Sequence, residues 1–157
     1  MTIEEQPDGA RGTNRPLVIG NQEGIEVSAA LIFREGRVLI TRRHAAAHLG
    51  GRWEFPGGKR KPGETFEACL VREIREELGV EIEVGRLFEE LSHTYPEKTV
   101  HLKFFVCQLL AGEPKPLDCA AIQWVRPSEL GRYEFPAADA RLLGKLQGIK
   151  SARKPLR

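Results

Sequence analysis

Residues 58–80 constrain this chain more than any other stretch. They read Gly-Lys-Arg-Lys-Pro-Gly-Glu-Thr-Phe-Glu-Ala-Cys-Leu-Val-Arg-Glu-Ile-Arg-Glu-Glu-Leu-Gly-Val. A loop punctuated by Pro62 and Gly63 runs into an acidic segment that stops at Gly79, where a left-handed C-cap is expected. Glu64 and Glu67 put negative charge near the helix start, where the helix dipole favours it. The pattern predicts a helix from Thr65 to Leu78. At about 100° per residue, Leu70, Val71, Ile74 and Leu78 share one arc about 100° wide, a stripe suited to a core.

Glu73, Glu76 and Glu77 lie beside that stripe at i, i+3 and i+4. Like charges at this spacing destabilise an isolated helix by a few tenths of a kcal/mol per pair, so something must offset them. One answer is a solvated face on which Arg72 pairs with Glu76 at i+4. The other is Mg²⁺, which takes oxygen ligands, keeps several waters and bridges carboxylates to phosphates.

The order of residues favours the second. The stretch resembles the Nudix box, G-x5-E-x7-R-E-U-x-E-E-x-G-U with U bulky and aliphatic. Every fixed position matches: Gly58, Glu64, Arg72, Glu73, Ile74, Glu76, Glu77, Gly79 and Val80. Nine constrained positions at fixed spacing are far more specific than a lone glycine motif. The likeness extends from about Ile25 to Gln147 and is closest to MutT-type nucleoside triphosphate pyrophosphohydrolases. Outside the box it is carried by Thr41-Arg42-Arg43, Trp53 to Lys59 and Phe135 to Asp139.

Composition bounds the alternatives. With 157 residues, 41% of them hydrophobic, one domain with an ordinary core is the natural expectation. Basic and acidic residues number 24 and 22, a net charge of +2, so no bias toward nucleic acid or a membrane surface is visible. Cys69, Cys107 and Cys119 are odd in number and lack C-x-x-C spacing, which argues against a disulfide framework or a zinc site. With no long apolar run and no signal-like N-terminus, a cytoplasmic location is expected.

In order, residues 1–23 read as a mobile polar tail, 24–148 as the domain and 149–157 as a basic tail. Ile25 to Phe33 and Arg37 to Thr41 read as strands around Arg34-Glu35-Gly36. Arg42 to Arg52 form a loop long enough to wall a substrate; His44 and His48 in it are ordinary loop histidines, lacking a third zinc ligand. Trp53-Glu54-Phe55 is a short extended segment. Glu81 to His93, Thr99 to Leu110 and Ala121 to Val125 read as further strands, Pro127 to Leu130 as a helical turn, and Ala137 to Gln147 as a second helix. This order fits α+β, which the resemblance sharpens to a Nudix α/β/α sandwich with a mixed β-sheet between helices.

The resemblance also implies a site. Glu73, Glu76 and Glu77 would bind Mg²⁺, or Mn²⁺ in its place, with the carbonyl of Gly57 as a further ligand. Glu73 would orient or deprotonate the attacking water, Arg72 would hold a glutamate, and Glu64 would support the ligands. The family's additional loop acid, six residues before a strand tryptophan, falls on Asp118, counted from Trp124. Arg43, Phe55, Lys98 and Asp139 would contact the nucleotide. Asp139 departs from the asparagine of 8-oxoguanine-selective enzymes: an ionised aspartate accepts hydrogen bonds only, and this position also suits helix capping.

The activity implied is hydrolysis of a nucleoside triphosphate to its monophosphate and pyrophosphate, in sanitation of 8-oxo-dGTP or related nucleotides. CTP, methylated dCTP or ADP-ribose are alternative substrates, and a nucleotide sensor without turnover is the non-enzymatic alternative. The expected partner is a nucleotide, with no membrane, no stable nucleic-acid partner, and a monomeric or homodimeric chain.

Overall fold

A computed structural model describes the backbone of residues 24–152 and the side chains of residues 24–148. The expected tail over 1–23 and the final residues 153–157 lie outside the described residues.

Strands β1 (Ile25–Arg34) and β2 (Arg37–Arg42) form a hairpin around Glu35 and Gly36, both at positive φ (51° and 78°), as a two-residue turn between right-twisted strands requires. The short β3 (Trp53–Glu54) pairs with β2, and β4 (Gly57–Lys59) pairs with β1. Helix α1 (Phe66–Leu78) follows. Strands β5 (Glu81–Tyr95) and β6 (Lys98–Ala111) make a long hairpin turning at Pro96 and Glu97, and β7 (Ala121–Val125) returns beside β2. After 3-10 turns at Pro127–Arg132 and Ala137–Asp139, helix α2 spans Ala140–Ala152.

The sheet order is β3-β2-β1-β6-β5, with β4 and β7 as side branches. The β1–β6 pair is parallel and the other pairs are antiparallel, which makes the sheet mixed as expected. Alternation along the strands sends side chains to two cores. Leu31, Val38, Ile40, Phe55 and Phe104 meet Leu142 and Leu146 of α2 on one face. Ala30, Ile32, Leu39 and Phe105 meet Leu70, Ile74 and Leu78 of α1 on the other. Sheet between helices is the α/β/α layering read from the resemblance.

Helix α1 starts and stops for local reasons. The Thr65 hydroxyl accepts from the Ala68 N–H at 2.9 Å, a cap worth about 1 kcal/mol. Gly79 closes the helix at φ 71° and donates to the Arg75 carbonyl. Of the expected stripe, Leu70, Ile74 and Leu78 are fully buried, each contributing about 1.5–3 kcal/mol, while Val71 is only half-buried and Cys69 joins the core in its place.

The second helix differs from expectation at both ends. Ala137–Asp139 is a 3-10 turn, the α-helix begins at Ala140, and it runs on to Ala152, through four residues assigned to the basic tail. Glu89 pins this helix: buried on β5, it accepts from Lys145 Nζ at 2.7 Å and faces Arg141 Nε at 3.3 Å. A long-range pair of this kind has no sequence signature. All three cysteines are free and buried.

Candidate active site

The helix-borne carboxylates are set against the sheet by two glycines. Gly57, opposite Ala29 in the β1–β4 ladder, comes so close that a methyl group there would overlap the Ser28 carbonyl. At Gly58 an added methyl group would overlap the carboxylate of Glu73. Only glycine lets the β4 backbone and this glutamate share the space. Cys69 below donates weakly to the Gly58 carbonyl at 3.5 Å.

Arg72 organises the acids. Its Nε and Nη2 donate to the two oxygens of Glu64 at 2.6 and 3.0 Å, and Nη1 donates to Glu73 at 3.0 Å and to Glu76 at 3.3 Å. Nη2 also reaches the Lys59 carbonyl at 3.1 Å, tying the helix to the end of β4. This fork holds Glu64, well below the usual carboxylate range at about 2, through Arg72 first and the Lys61 N–H second. Both Arg72 and Glu64 are mostly covered, so the assembly is more than an exposed i,i+4 ion pair.

Glu73 and Glu77 are perturbed in the other direction. Burial raises Glu73, against the pull of Arg72. Glu77 is pushed up to about 8 by burial, then by the charges of Glu54 and Glu73. Its Oε1 is buried without a hydrogen-bond partner, one of two such side-chain atoms among the described residues. A carboxylate desolvated among other carboxylates is a costly arrangement that a cation would relieve.

Among the described residues, no three acidic, histidine or cysteine side chains already close around one point. Glu73 and Glu76 lean on Arg72 instead. That is compatible with Mg²⁺, which needs only one or two carboxylates and keeps its waters. The orphaned Glu77 oxygen is the observation that makes the residues fit such an ion.

The structure brings Asp118 to this cluster. Its backbone N–H and that of Leu117 both donate to the Glu77 carbonyl, at 3.2 and 3.0 Å. The Asp118 carboxylate is exposed, with His44 Nε2 at 3.6 Å. His44 thus has an acidic neighbour that loop composition did not reveal.

Other expected contacts fare unevenly. Arg43 is engaged internally: Nε donates to the His48 carbonyl at 2.6 Å, and Nη1 to Glu54 at 3.0 Å. Phe55 is buried between Phe104 and Phe135, ring centres 6.2 and 5.3 Å away, so it serves the core on the α2 side of the sheet. Lys98 stands at the tip of the β5–β6 hairpin opposite Tyr95 and is exposed. Asp139 is buried in its 3-10 turn and raised to about 7, by burial first and by Glu54 second.

Glu54 is the residue that sequence reasoning left without a role. It is raised by burial, pairs with Arg43, and its charge bears on both Glu77 and Asp139. The signal was a glutamate inside an aromatic segment, Trp53-Glu54-Phe55, where a core strand would carry an apolar residue.

Residues 28–145 match the NUDIX domain family model. This chain belongs to that family. It is 36% identical over 129 residues to the CTP pyrophosphohydrolase of Escherichia coli (strain K12), covering 82% of this chain and 96% of that protein. To the 8-oxo-dGTP diphosphatase of the same organism it is 34% identical over 126 residues, covering 80% and 98%. Among solved structures, the Escherichia coli ORF135 protein superposes with a TM-score of 0.73 at 34% identity, covering 85% of this chain and 96% of that one. The MutT protein of Methanosarcina mazei Go1 gives 0.72 at 26% identity, covering 83% and 96%. The chain is therefore a Nudix hydrolase of the MutT type in sequence and in fold. No helix among the described residues is long and apolar enough to cross a membrane.

Proposed function

We propose that this Nudix hydrolase is a Mg²⁺-dependent nucleoside triphosphate pyrophosphohydrolase that releases the monophosphate and pyrophosphate, with 8-oxo-dGTP or a related modified nucleotide as substrate. The observation that carries the reading is the buried, unpartnered Glu77 oxygen beside Glu73, Glu54 and Asp118. Glu73, Glu76, Glu77, the Gly57 carbonyl and Asp118 are the groups that would hold Mg²⁺ or Mn²⁺. Such an ion supplies charge neutralisation at the phosphates and a more acidic bound water.

The protein's own part is positioning, which dominates barriers to phosphoryl transfer. Glu73, half-buried and with its affinity for a proton raised, is suited to orient a water and take its proton. Arg72 fixes Glu73 from one side and Gly58 admits it from the other. Arg43 and Lys98 are the candidate cations for the nucleotide, and Asp139 is the candidate reader of the base. The nucleotide-sensor alternative loses ground because every acidic position of the box is filled.

A second reading, CTP or methylated dCTP as substrate, is favoured by Asp139. Ionised, it accepts from an exocyclic amino group; protonated, it donates as the amide of asparagine does. The relative named CTP pyrophosphohydrolase supports the same possibility. ADP-ribose has no comparable observation behind it.

The deciding experiment is hydrolysis of a nucleotide panel with Mg²⁺ and with Mn²⁺, products resolved. Cleavage of 8-oxo-dGTP no faster than dGTP ends the sanitation reading, and a preference for CTP installs the second. Equal turnover by Glu73→Gln and the parent would remove catalysis from this helix. A cytoplasmic location belongs to the same proposal.

A further inference from the structure

The last carbonyls of α1 are capped by a segment nearly forty residues further along the chain. Lys115 N–H donates to the Leu78 carbonyl at 3.0 Å, and the Leu117 and Asp118 N–H groups share the Glu77 carbonyl. The orphan acceptors of a helix end are thus satisfied from outside the helix. The segment is pre-shaped: Pro114 and Pro116 restrict the backbone on either side of Lys115, and Pro114 is buried. Both ends are anchored. Glu113 accepts two bonds from Arg34, at 2.9 and 3.1 Å, and the Ala120 N–H donates to the Arg42 carbonyl at 2.8 Å.

Leu117 is the odd member. It is 60% exposed, so the core does not explain it. Its Cδ1 lies 3.0 Å from the place a Cβ would occupy on Gly79, so its side chain rests on the one helix-end residue that has none. Gly79 serves twice, as the left-handed cap and as the seat for Leu117.

We infer that residues 114–118 form a positioning strap: Leu117, seated on Gly79, and the paired N–H groups on the Glu77 carbonyl fix where Asp118 stands relative to the Glu77 carboxylate. Leu117 is a positioning residue, acting through Asp118. The inference rests on the metal-binding reading of these acids.

The test uses the full chain and Mn²⁺ alone, with free Mn²⁺ followed by electron paramagnetic resonance and backbone protection by hydrogen exchange. Leu117→Gly is expected to weaken Mn²⁺ binding roughly tenfold, the scale of losing an outer support of a metal site. The Leu117 and Asp118 amides should exchange faster, while the melting temperature stays within about 2 °C, as for an exposed residue. Leu117→Met should restore binding by refilling the seat. In an Asp118→Asn background, Leu117→Gly should have no further effect. Unchanged Mn²⁺ affinity in Leu117→Gly, or the same loss with Asp118→Asn already present, would overturn the strap. Glu77→Gln separates the two levels: if it leaves Mn²⁺ binding intact, the metal reading falls and takes the strap with it, whereas a disruptive Glu77→Gln with a silent Leu117→Gly removes the strap alone.

Discussion

Glu73 occupies the space that a side chain at Gly58 would need: a methyl group added to Gly58 would overlap all three atoms of the Glu73 carboxylate. The backbone of Gly58 is outside the left-handed region, so replacement costs little in conformation and much in position. Gly58→Ala should fold, with its melting temperature within a few degrees of the parent, and push Glu73 off the Arg72 fork. Misplacement of a reacting group by an ångström costs about a hundredfold. The check is kcat and KM together: a loss confined to KM would mean that Glu73 is not the displaced group that matters.

Arg72 bonds three glutamates and one carbonyl at once, which a planar fork can do and an ammonium cannot. Arg72→Lys keeps the charge and loses the geometry. Turnover should fall roughly ten- to a hundredfold, as for outer-shell partners of a metal site. Lysine at full activity would show that only charge is needed here.

Arg43 and Glu54 form a largely covered pair, so removing one partner strands the other. Arg43→Ala should destabilise by about 2 kcal/mol, the scale of a lost charged hydrogen bond. Adding Glu54→Gln should recover part of that, giving a coupling of roughly 1 kcal/mol in a double-mutant cycle by urea denaturation. Strict additivity would mean the two side chains do not depend on each other.

Asp139 carries a pH dependence of defined sign. Its carboxyl is raised from 3.8 to about 7 in the folded chain. The folded state therefore holds the proton more tightly, and the associated stability is fully present below about pH 4 and lost as pH rises through 7. Asp139→Asn, neutral throughout, should stabilise the chain most near pH 8 and progressively less toward pH 4. Glu54→Gln should shift the window to lower pH, because Glu54 is the second cause of the raised value. Melting curves from pH 4 to 8 test both; a parallel offset at every pH would show that Asp139 does not titrate in this range.

The box helix was legible in the sequence because each of its determinants is local. Thr65 caps it three residues before Ala68, Leu70, Ile74 and Leu78 repeat with its period, and Gly79 ends it. The longer strands were legible for the same reason, down to the Glu35-Gly36 turn, whereas β4 was not: it reads as loop because its Gly57 and Gly58 carry no strand signal and only pairing with β1 extends them. The start of α2 was not, because a 3-10 turn and the first turn of an α-helix present the same residue pattern at Ala137–Asp139. Phe55 looked equally suited to a pocket or a core, and only its packing on Phe104 and Phe135 separates the two.

By itself the sequence determined the family, the acidic face with its arginine, and the alternation that sorts side chains onto two sides of a sheet. These follow from spacing, and spacing is preserved in a linear chain. Only tertiary structure decided which acids share a field. Glu54 reaches Glu77 and Asp139 because β3 is paired into the sheet edge, and Asp118 reaches Glu77 because a distant strap caps the helix. Burial raises Glu73, Glu77 and Asp139 while Arg72 lowers Glu64, although all four are ordinary carboxylic acids in the chain. Desolvation and charge act through space, so the fold decides which proton each acid keeps.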